Sequence, residues 1–562
     1  MKFFKKRTTL LILLLNVLLV GCNSGNNNTS TLSEIASSTK QPTITTTQTT
    51  EMTTAPEVSK TTTDVIPSSS NILTTLTTEN IYGDTYTLNI LEFNDLHGHI
   101  EKVNNQGGIS NASYLINQIR DEDEYDNTIL IANGDIFQET AISRVSYGRV
   151  LIDIMNEMQF DMMNLGNHEF DWGLDKILEY WDGNLDNGEA NFPLLNANIY
   201  DNETNKLVGV DSGNIYSSTI VKKGPINVGI IGLIGNVYGS INRNMVENYT
   251  FKASDIEIKT NVANLGKALK DNGADIIIVS VHDGDSKSIT NYSLNSALAK
   301  LKYNEEYLVN AVINGHTHTE QKAIIPRDDA GMAVIQSSPY VSSTGAAKEF
   351  GRIDLEIDLK TKAVISAKTS HVSISSAKTN YDKNVENIVE SYKNSSKDIL
   401  EEVYCENLTS IDRYDAHLQN WISNLMMASS GATAGLCNTG GIRSGVSKGD
   451  FGFNEVYSLN PFDNHIILVE ITGADLQTFI NDNDGYYFCY TDSGSIDTSK
   501  TYTLAIIDYV YYSNYFSNYQ NDKAIDTNLI VRDLIIEELR YYKETGFNIN
   551  SNYNTINIKQ HI

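Results

Sequence analysis

A chain of 562 residues is too long to be built around a single hydrophobic core, so two or more domains are expected. Its 42 Lys and Arg against 70 Asp and Glu give a net charge of −28, which argues against a nucleic-acid binder, because duplex binding depends on clustered cations that release counterions. An anionic substrate would have to be received by local positive charge, such as metal ions and a few placed arginines.

The chain opens with a basic stretch through Arg7, an apolar run from Leu10 to Val20 broken only by Asn16, and Gly21-Cys22. A basic leader, a short apolar segment and a small residue at its end predict an export signal over residues 1–21 rather than a spanning helix. Leu19-Val20-Gly21-Cys22 resembles the bacterial lipobox, and the resemblance implies that Cys22 is lipidated and anchors a surface lipoprotein. With Cys22 acylated, Cys405, Cys437 and Cys489 are an odd number that makes no disulfide framework, and they are expected as buried small apolar residues. Residues 22–83 are dominated by Thr, Ser and Asn, with no aromatic from Asn23 to Asn80. Such a segment cannot bury enough apolar area to offset ordering entropy, so it predicts a flexible tether, with the acyl anchor as the one membrane attachment.

Residues 84–372 alternate strands with helical stretches such as Gly148 to Met158 and Ile256 to Asn272, the pattern of an α/β domain. Five apolar runs there each end on a residue able to bind a metal. They run from Leu88 to Phe93 before Asp95 and His97, Thr128 to Ile131 before Asp135, Met162 to Leu165 before Asn167 and His168, Ile276 to Val281 before His282, and Ala311 to Ile313 before His316 and His318. Buried strands of open α/β sheets end at a common edge, so ligands at several ends can converge. Asp95-x-His97 and His316-x-His318 each read as two ligands on one side of an extended segment. Gly166-Asn167-His168-Glu169-Phe170-Asp171 offers a neutral oxygen, a histidine and an aspartate able to hold that ring. Gly134-Asp135 taken alone is ordinary turn chemistry, and His282 taken alone reads equally as a core histidine. Yet five of only ten histidines fall at these strand ends, which chance placement explains poorly.

Residues 373–400 carry a polar helical segment around Asn384 to Tyr392 that suits a connector. Residues 401–562 alternate helices such as Val531 to Lys543 with strands such as Ile466 to Ile471 and Thr501 to Ile507, a second, mixed α/β domain. Within it, Asn438-Thr439-Gly440-Gly441-Ile442-Arg443 places an arginine after a Gly-Gly turn; the fork of Arg443 suits phosphate or carboxylate. Phe462 after Pro461 reads as an exposed stacking platform or an ordinary core aromatic, and Arg413 as a second phosphate group or a solvated charge.

These motifs, in their order and spacing, resemble those of calcineurin-like metallophosphoesterases, and more narrowly of the 5′-nucleotidase and UDP-sugar hydrolase family. Asn438 to Arg443 and Asn460-Pro461-Phe462-Asp463-Asn464 resemble the C-terminal nucleotide-binding motifs of that family, and the match covers roughly residues 85 to 520. The resemblance implies a sandwich of two sheets flanked by helices, joined to a nucleotide-binding domain. It implies two divalent ions, one on Asp95, His97 and His318, the other on Asn167, His282 and His316, with Asp135 bridging. A mixed imidazole and carboxylate set suits Zn²⁺, Mn²⁺ or related ions. His168, oriented by Asp171, would stabilise or protonate developing charge, while Asn438, Gly440, Gly441, Arg443, Phe462, Tyr509 and Arg413 would receive the nucleotide. With metals on one domain and the arginine on the other, the site must form between them.

Two departures separate the phosphate chemistry from the choice of base. The aromatic and Gly-Gly-Asp-Gly segment usual in the family is replaced by Ile507 to Phe516, which keeps Tyr509 as a stacking partner for Phe462 but lacks the glycines and aspartate, and Thr439 replaces a glycine. The expected function is a surface-tethered nucleotidase, with UDP-sugars or cyclic nucleotides as rival substrates and an inactive nucleotide-binding or adhesive lipoprotein as the reading of another class. The inactive reading predicts a missing ligand, and none is missing. Oligomeric state and preferred base have no signature in the sequence.

Overall fold

The alternating pattern of the first half resolves into two sheets packed face to face. The computed structural model describes residues 83–545 apart from 104–106, 123–125, 211–212, 339, 342–345, 408, 484 and 492–493. The export signal, Cys22 and the tether lie outside the described residues. Among the described residues no helix is long and apolar enough to cross a membrane.

The first sheet has seven strands in the order Val364–Ser373, Glu349–Asp358, Thr85–Phe93, Thr128–Asn133, Met162–Asn164, Leu194–Leu195 and Ile215–Tyr216. The second has six, in the order Gln321–Ile325, Met332–Gln336, Ala311–Ile313, Ile276–His282, Ile226–Ile234 and Ser218–Lys223. The strand Ile276–His282 is buried at every position. Ile276 and Ile278 point between the sheets to meet Ile90, Ile129 and Leu355, while Ile277, Val279 and Val281 point outward beneath a helix. A run of β-branched residues suits a strand covered on both faces, and each such side chain contributes on the order of 2 kcal/mol by leaving water. The covering helix, Asp255–Asp271, begins at Ser254, which forms a capping box with Glu257, and buries Ile258, Val262 and Leu269. The outer face of the first sheet, including Leu91, Leu130 and Met163, is covered by Ile109–Arg120 and by the connector helix Lys383–Ser395 through Val385 and Val389.

The strands that carry the candidate ligands run parallel, Thr85–Phe93 beside Thr128–Asn133 beside Met162–Asn164, and Ile276–His282 beside Ala311–Ile313. Their carboxyl ends therefore open at a common edge. The second lobe is built on a five-stranded sheet in the order Tyr487–Thr491, Ala434–Asn438, Thr501–Ile507, His465–Thr472 and Ile525–Ile530, with helices Ala416–Ser430, Gly473–Asp482 and Val531–Thr545. Both lobes belong to one compact body.

Candidate active site

The segments leaving the strands are bent rather than extended. Asp95, His97, Asp135, His316 and His318 have φ of 51°, 51°, 53°, 70° and 53°, all in the left-handed region. The Asp-x-His and His-x-His spacings suggested two ligands on one side of an extended chain, but an extended chain would carry them past the sheet edge; the bend is what turns them over it. Each such non-glycine residue costs about 1 kcal/mol or more, so its surroundings must hold it. They do: the Asp95 and His97 N–H groups donate to the Gly134 and Asp135 carbonyls (3.0 and 2.9 Å), and the His316 N–H lies 3.0 and 2.9 Å from the two Asp95 carboxylate oxygens. Gly166 passes so close that an added Cβ would lie 2.3 Å from Asp135 Oδ1, which explains a glycine before Asn167.

The bends gather the candidate ligands into adjoining clusters. Asp95, His97 and His318 form one and Asp135, His282 and His316 another, each with its ligating atoms within 4.8 Å of one another. Asn167 Oδ1 joins the second at 2.8 Å from His316 Nδ1. Asp135 stands between them, with Oδ2 3.1 Å from His282 Nε2 and 3.9 Å from His97 Nε2. His97 and His282 each direct Nδ1 at a backbone carbonyl, of Gln138 (3.0 Å) and Asn133 (2.8 Å), which leaves Nε2 to face the cluster. There His97 Nε2 lies 3.1 Å from His318 Nε2, and the latter 3.3 Å from Asp95 Oδ1, while the buried His282 Nε2 faces Asp135 Oδ2. Imidazole nitrogens converging on carboxylates, with their far nitrogens already held, are the donor set of a divalent cation.

The electrostatics of Asp95, Asp135 and His97 agree with that donor set, whereas His282, despite burial, is raised to about 10 by Asp135 and Asp95. Burial opposes the charge of Asp95, but His318 and His282 more than offset it and keep the carboxyl below its ordinary range. Asp135 is buried too and is lowered further by His282 and His168. Burial pushes His97 down to about 3, so it offers a neutral ring. His168 differs: despite burial, Asp171 and Asp135 raise it to about 9, so it holds a proton at neutral pH. Its Nδ1 meets Asp171 Oδ2 at 2.8 Å, and its backbone N–H donates to Asp135 Oδ1 at 2.7 Å.

The second lobe faces this cluster across a cleft of about 1730 Å³ lined by Asn167, His168, His316 and His318 on one side and by Asn438, Gly440, Gly441, Arg443, Phe462 and Tyr509 on the other. Phe462 is half-buried and stacks on the His168 ring, with centroids 5.9 Å apart and planes 23° from parallel. It is thus neither an open platform nor a core residue. Tyr509 donates through its hydroxyl to the Gly239 carbonyl at 3.2 Å while lining the same cleft. Gly440 and Gly441 form a short turn in which Asn460 Nδ2 donates to the Gly441 carbonyl at 3.1 Å. The Arg443 guanidinium meets Glu139, with Nε 2.8 Å from Oε1. Arg413 also lines the cleft, but its Nη1 donates to the Arg443 carbonyl at 3.0 Å, so it buttresses Arg443.

Residues 88–320 match the calcineurin-like phosphoesterase family, and residues 401–493 match the 5′-nucleotidase C-terminal domain. The chain is a calcineurin-like phosphoesterase with a 5′-nucleotidase C-terminal domain. That architecture supports a metal-dependent phosphoester hydrolase. It is 25% identical over 420 residues to endonuclease YhcR of Bacillus subtilis, covering 70% of this chain and 32% of that one. It is 24% identical over 434 residues to a 5′-nucleotidase of Vibrio parahaemolyticus, covering 71% and 74%. The chain thus spans about a third of the first relative and three quarters of the second. A crystal structure of a 5′-nucleotidase precursor from Thermus thermophilus superposes with a TM-score of 0.65 at 19% identity, over 82% of this chain and 97% of that one, and shows a shared fold.

Several residues of this phosphoesterase's site escape a reading of the sequence. Glu169 sits inside a recognised motif, yet two of its partners are backbone N–H groups of another loop. Asp463 receives Arg144 at 2.9 Å from the first lobe and Arg532 from its own. Asn242 donates to Asp508 at 2.8 Å between the lobes. Glu139 pairs with an arginine 304 positions away, and no local signal announces it.

Proposed function

We propose that the protein binds two divalent ions and releases phosphate from nucleoside 5′-monophosphates, with UDP-sugars and 2′,3′-cyclic nucleotides as rival substrates of the same chemistry. The observation that carries this reading is the meeting of two His/Asp clusters where strand ends of the two sheets converge, with Asp135 between them, facing Arg443, Phe462 and Tyr509 across the cleft. Asp95, His97 and His318 would hold one ion, Asn167, His282 and His316 the other. Such ions neutralise charge on the phosphoryl oxygens and lower the pKa of a water.

The chain's own groups supply the rest. With Nδ1 tied to Asp171, His168 turns its other ring nitrogen to the substrate, and its proton serves the oxygen on which charge develops. Arg443 offers a planar fork to the phosphate and Tyr509 an aromatic face to the base. The name of the Vibrio relative supports the nucleotide, whereas the net charge of −28 disfavours the polymer implied by the name of the Bacillus relative. The basic leader and Leu19-Val20-Gly21-Cys22 support export and lipid anchoring at the cell surface.

The test is phosphate release from AMP, UMP and UDP-glucose with Mn²⁺ or Zn²⁺, then with EDTA. Activity on AMP that EDTA abolishes is expected, with His168→Ala slowing turnover 10²-fold or more. An unchanged rate in that variant removes the mechanism, and no release from any of the three removes the function. Detergent partitioning that persists in Cys22→Ser would overturn the anchor.

A further inference from the structure

Glu139 combines three features that its place in the chain does not require. Its φ is 143°, a region that glycine enters freely and other residues rarely. Its side chain is 9% exposed. Its carboxylate lies between the two halves of the site, with Oε1 2.8 Å and Oε2 3.4 Å from Arg443 Nε and Nη2, and Oε2 3.5 Å from Nδ1 of the candidate ligand His97. Its ion pair with the Arg443 guanidinium compensates the buried carboxylate charge. A strained backbone that delivers a buried charge is retained only where the surroundings over-determine it, and such outliers gather at functional sites.

Arg443 is the guanidinium of the second lobe that lines the cleft beside His168, and Glu139 already matches its charge. An incoming phosphoryl group meets an ion pair rather than a lone cation. The attraction it gains is reduced, and it is repelled by the carboxylate in proportion to its own charge.

We propose that Glu139 is a specificity-determining residue that discriminates phosphate esters by charge, holding back doubly charged monoesters more than singly charged diesters. The inference rests on the proposed phosphohydrolase activity and concerns the substrate class that the site favours. Glu139 acts on the substrate through Arg443 and through space, with no bond made or broken.

The experiment compares kcat/KM for p-nitrophenyl phosphate, a dianion at pH 8, with that for the monoanionic bis(p-nitrophenyl) phosphate, using the full chain with Mn²⁺. Glu139→Gln removes the charge at constant shape. Glu139→Gly removes it and also suits the backbone, so it carries the comparison if the amide variant folds poorly. Both variants should gain about tenfold on the monoester and about threefold or less on the diester, since the effect scales with charge. Inhibition by inorganic phosphate, a readout independent of turnover chemistry, should tighten by the same factor as the monoester. Equal changes for both esters, including an equal loss, would mean that Glu139 only positions Arg443 and would overturn the proposal. Hydrolysis of neither ester by the unaltered protein would instead overturn the phosphohydrolase function, and this inference with it.

Discussion

Glu169 shows how a side chain outside the ligand set can fix a site. Its Oε2 accepts from the Asp135 and Gly166 N–H groups at 2.8 and 2.7 Å, and its Oε1 from Ile136 at 2.8 Å. It therefore clamps the loop bearing Asp135 to the loop bearing Asn167. Burial and Asp135 push it up to about 7, while the three N–H groups favour its charge. Glu169→Gln would turn an amide NH₂ toward at least one of those donors, at a cost of about 1–3 kcal/mol. We expect a lower melting temperature together with weaker metal retention, read by thermal scans and by titration of metal into stripped protein; full metal affinity would show that the clamp is not needed. Glu92 gives a pH-dependent case. Burial raises it to about 8, so the folded protein keeps a proton that the unfolded chain releases near pH 4.5. Its favourable share of stability is complete below about pH 4.5 and is lost as pH climbs to 8. Glu92→Gln should therefore gain on the unaltered protein between pH 5 and 8 in urea titrations of metal-free samples, by an amount on the order of a few kcal/mol at pH 8. A constant difference across that range would contradict a protonated Glu92. At this scale the sequence offers residue identities but not partners: Glu169 stands in a legible motif, yet its donor at Asp135 lies 34 positions upstream.

The elements were largely legible because their causes are local. The apolar runs before Asp95, Asp135 and His282 are strands, and the helix expected over Ile256 to Asn272 spans Asp255–Asp271 with a capping box at Ser254 that the sequence itself displays. What local pattern could not give is the left-handed turn at five candidate ligands, since it follows from where the sheet edge lies relative to the neighbouring loop. Nor could it give the grip on the segment around Phe462. Pro461 accepts through its carbonyl from Gln138 of the first lobe and from Arg532, both at 3.0 Å, and Asp463 takes Arg144 and Arg532 on its two oxygens. Arg532 is 3% exposed, so removing the charge of Asp463 leaves it the Pro461 carbonyl and the more distant Asp533, 3.8 Å from Nε. Asp463→Asn should cost about 3 kcal/mol of stability and should raise KM for AMP more than it lowers kcat, because Phe462 loses its anchorage while His168 keeps its own. Denaturant titration and steady-state kinetics check this together; a fall in kcat alone would mean that the segment serves the chemical step rather than binding.

At the scale of the whole molecule, composition and site pull in opposite directions. A net charge of −28 repels a nucleotide at long range, whereas the groups proposed to receive it, Arg443 and the candidate cation-binding cluster, lie inside a cleft between two lobes. Salt separates these contributions. Screening acts over about 30 Å at 10 mM ionic strength and about 8 Å at 150 mM, so the overall repulsion fades while contacts within the cleft are screened much less. If net charge limits encounter, kcat/KM for AMP should rise by about two- to threefold between those concentrations, and the rise should shrink for a singly charged diester. If instead the local field of the cleft already dominates at a distance, the same titration gives a fall, as for any positively steered site. The rise is the expected result, because Glu139 offsets the charge of Arg443, and Asp412, Asp450 and Glu455 line the second lobe's side of the cleft beside Arg413 and Lys448.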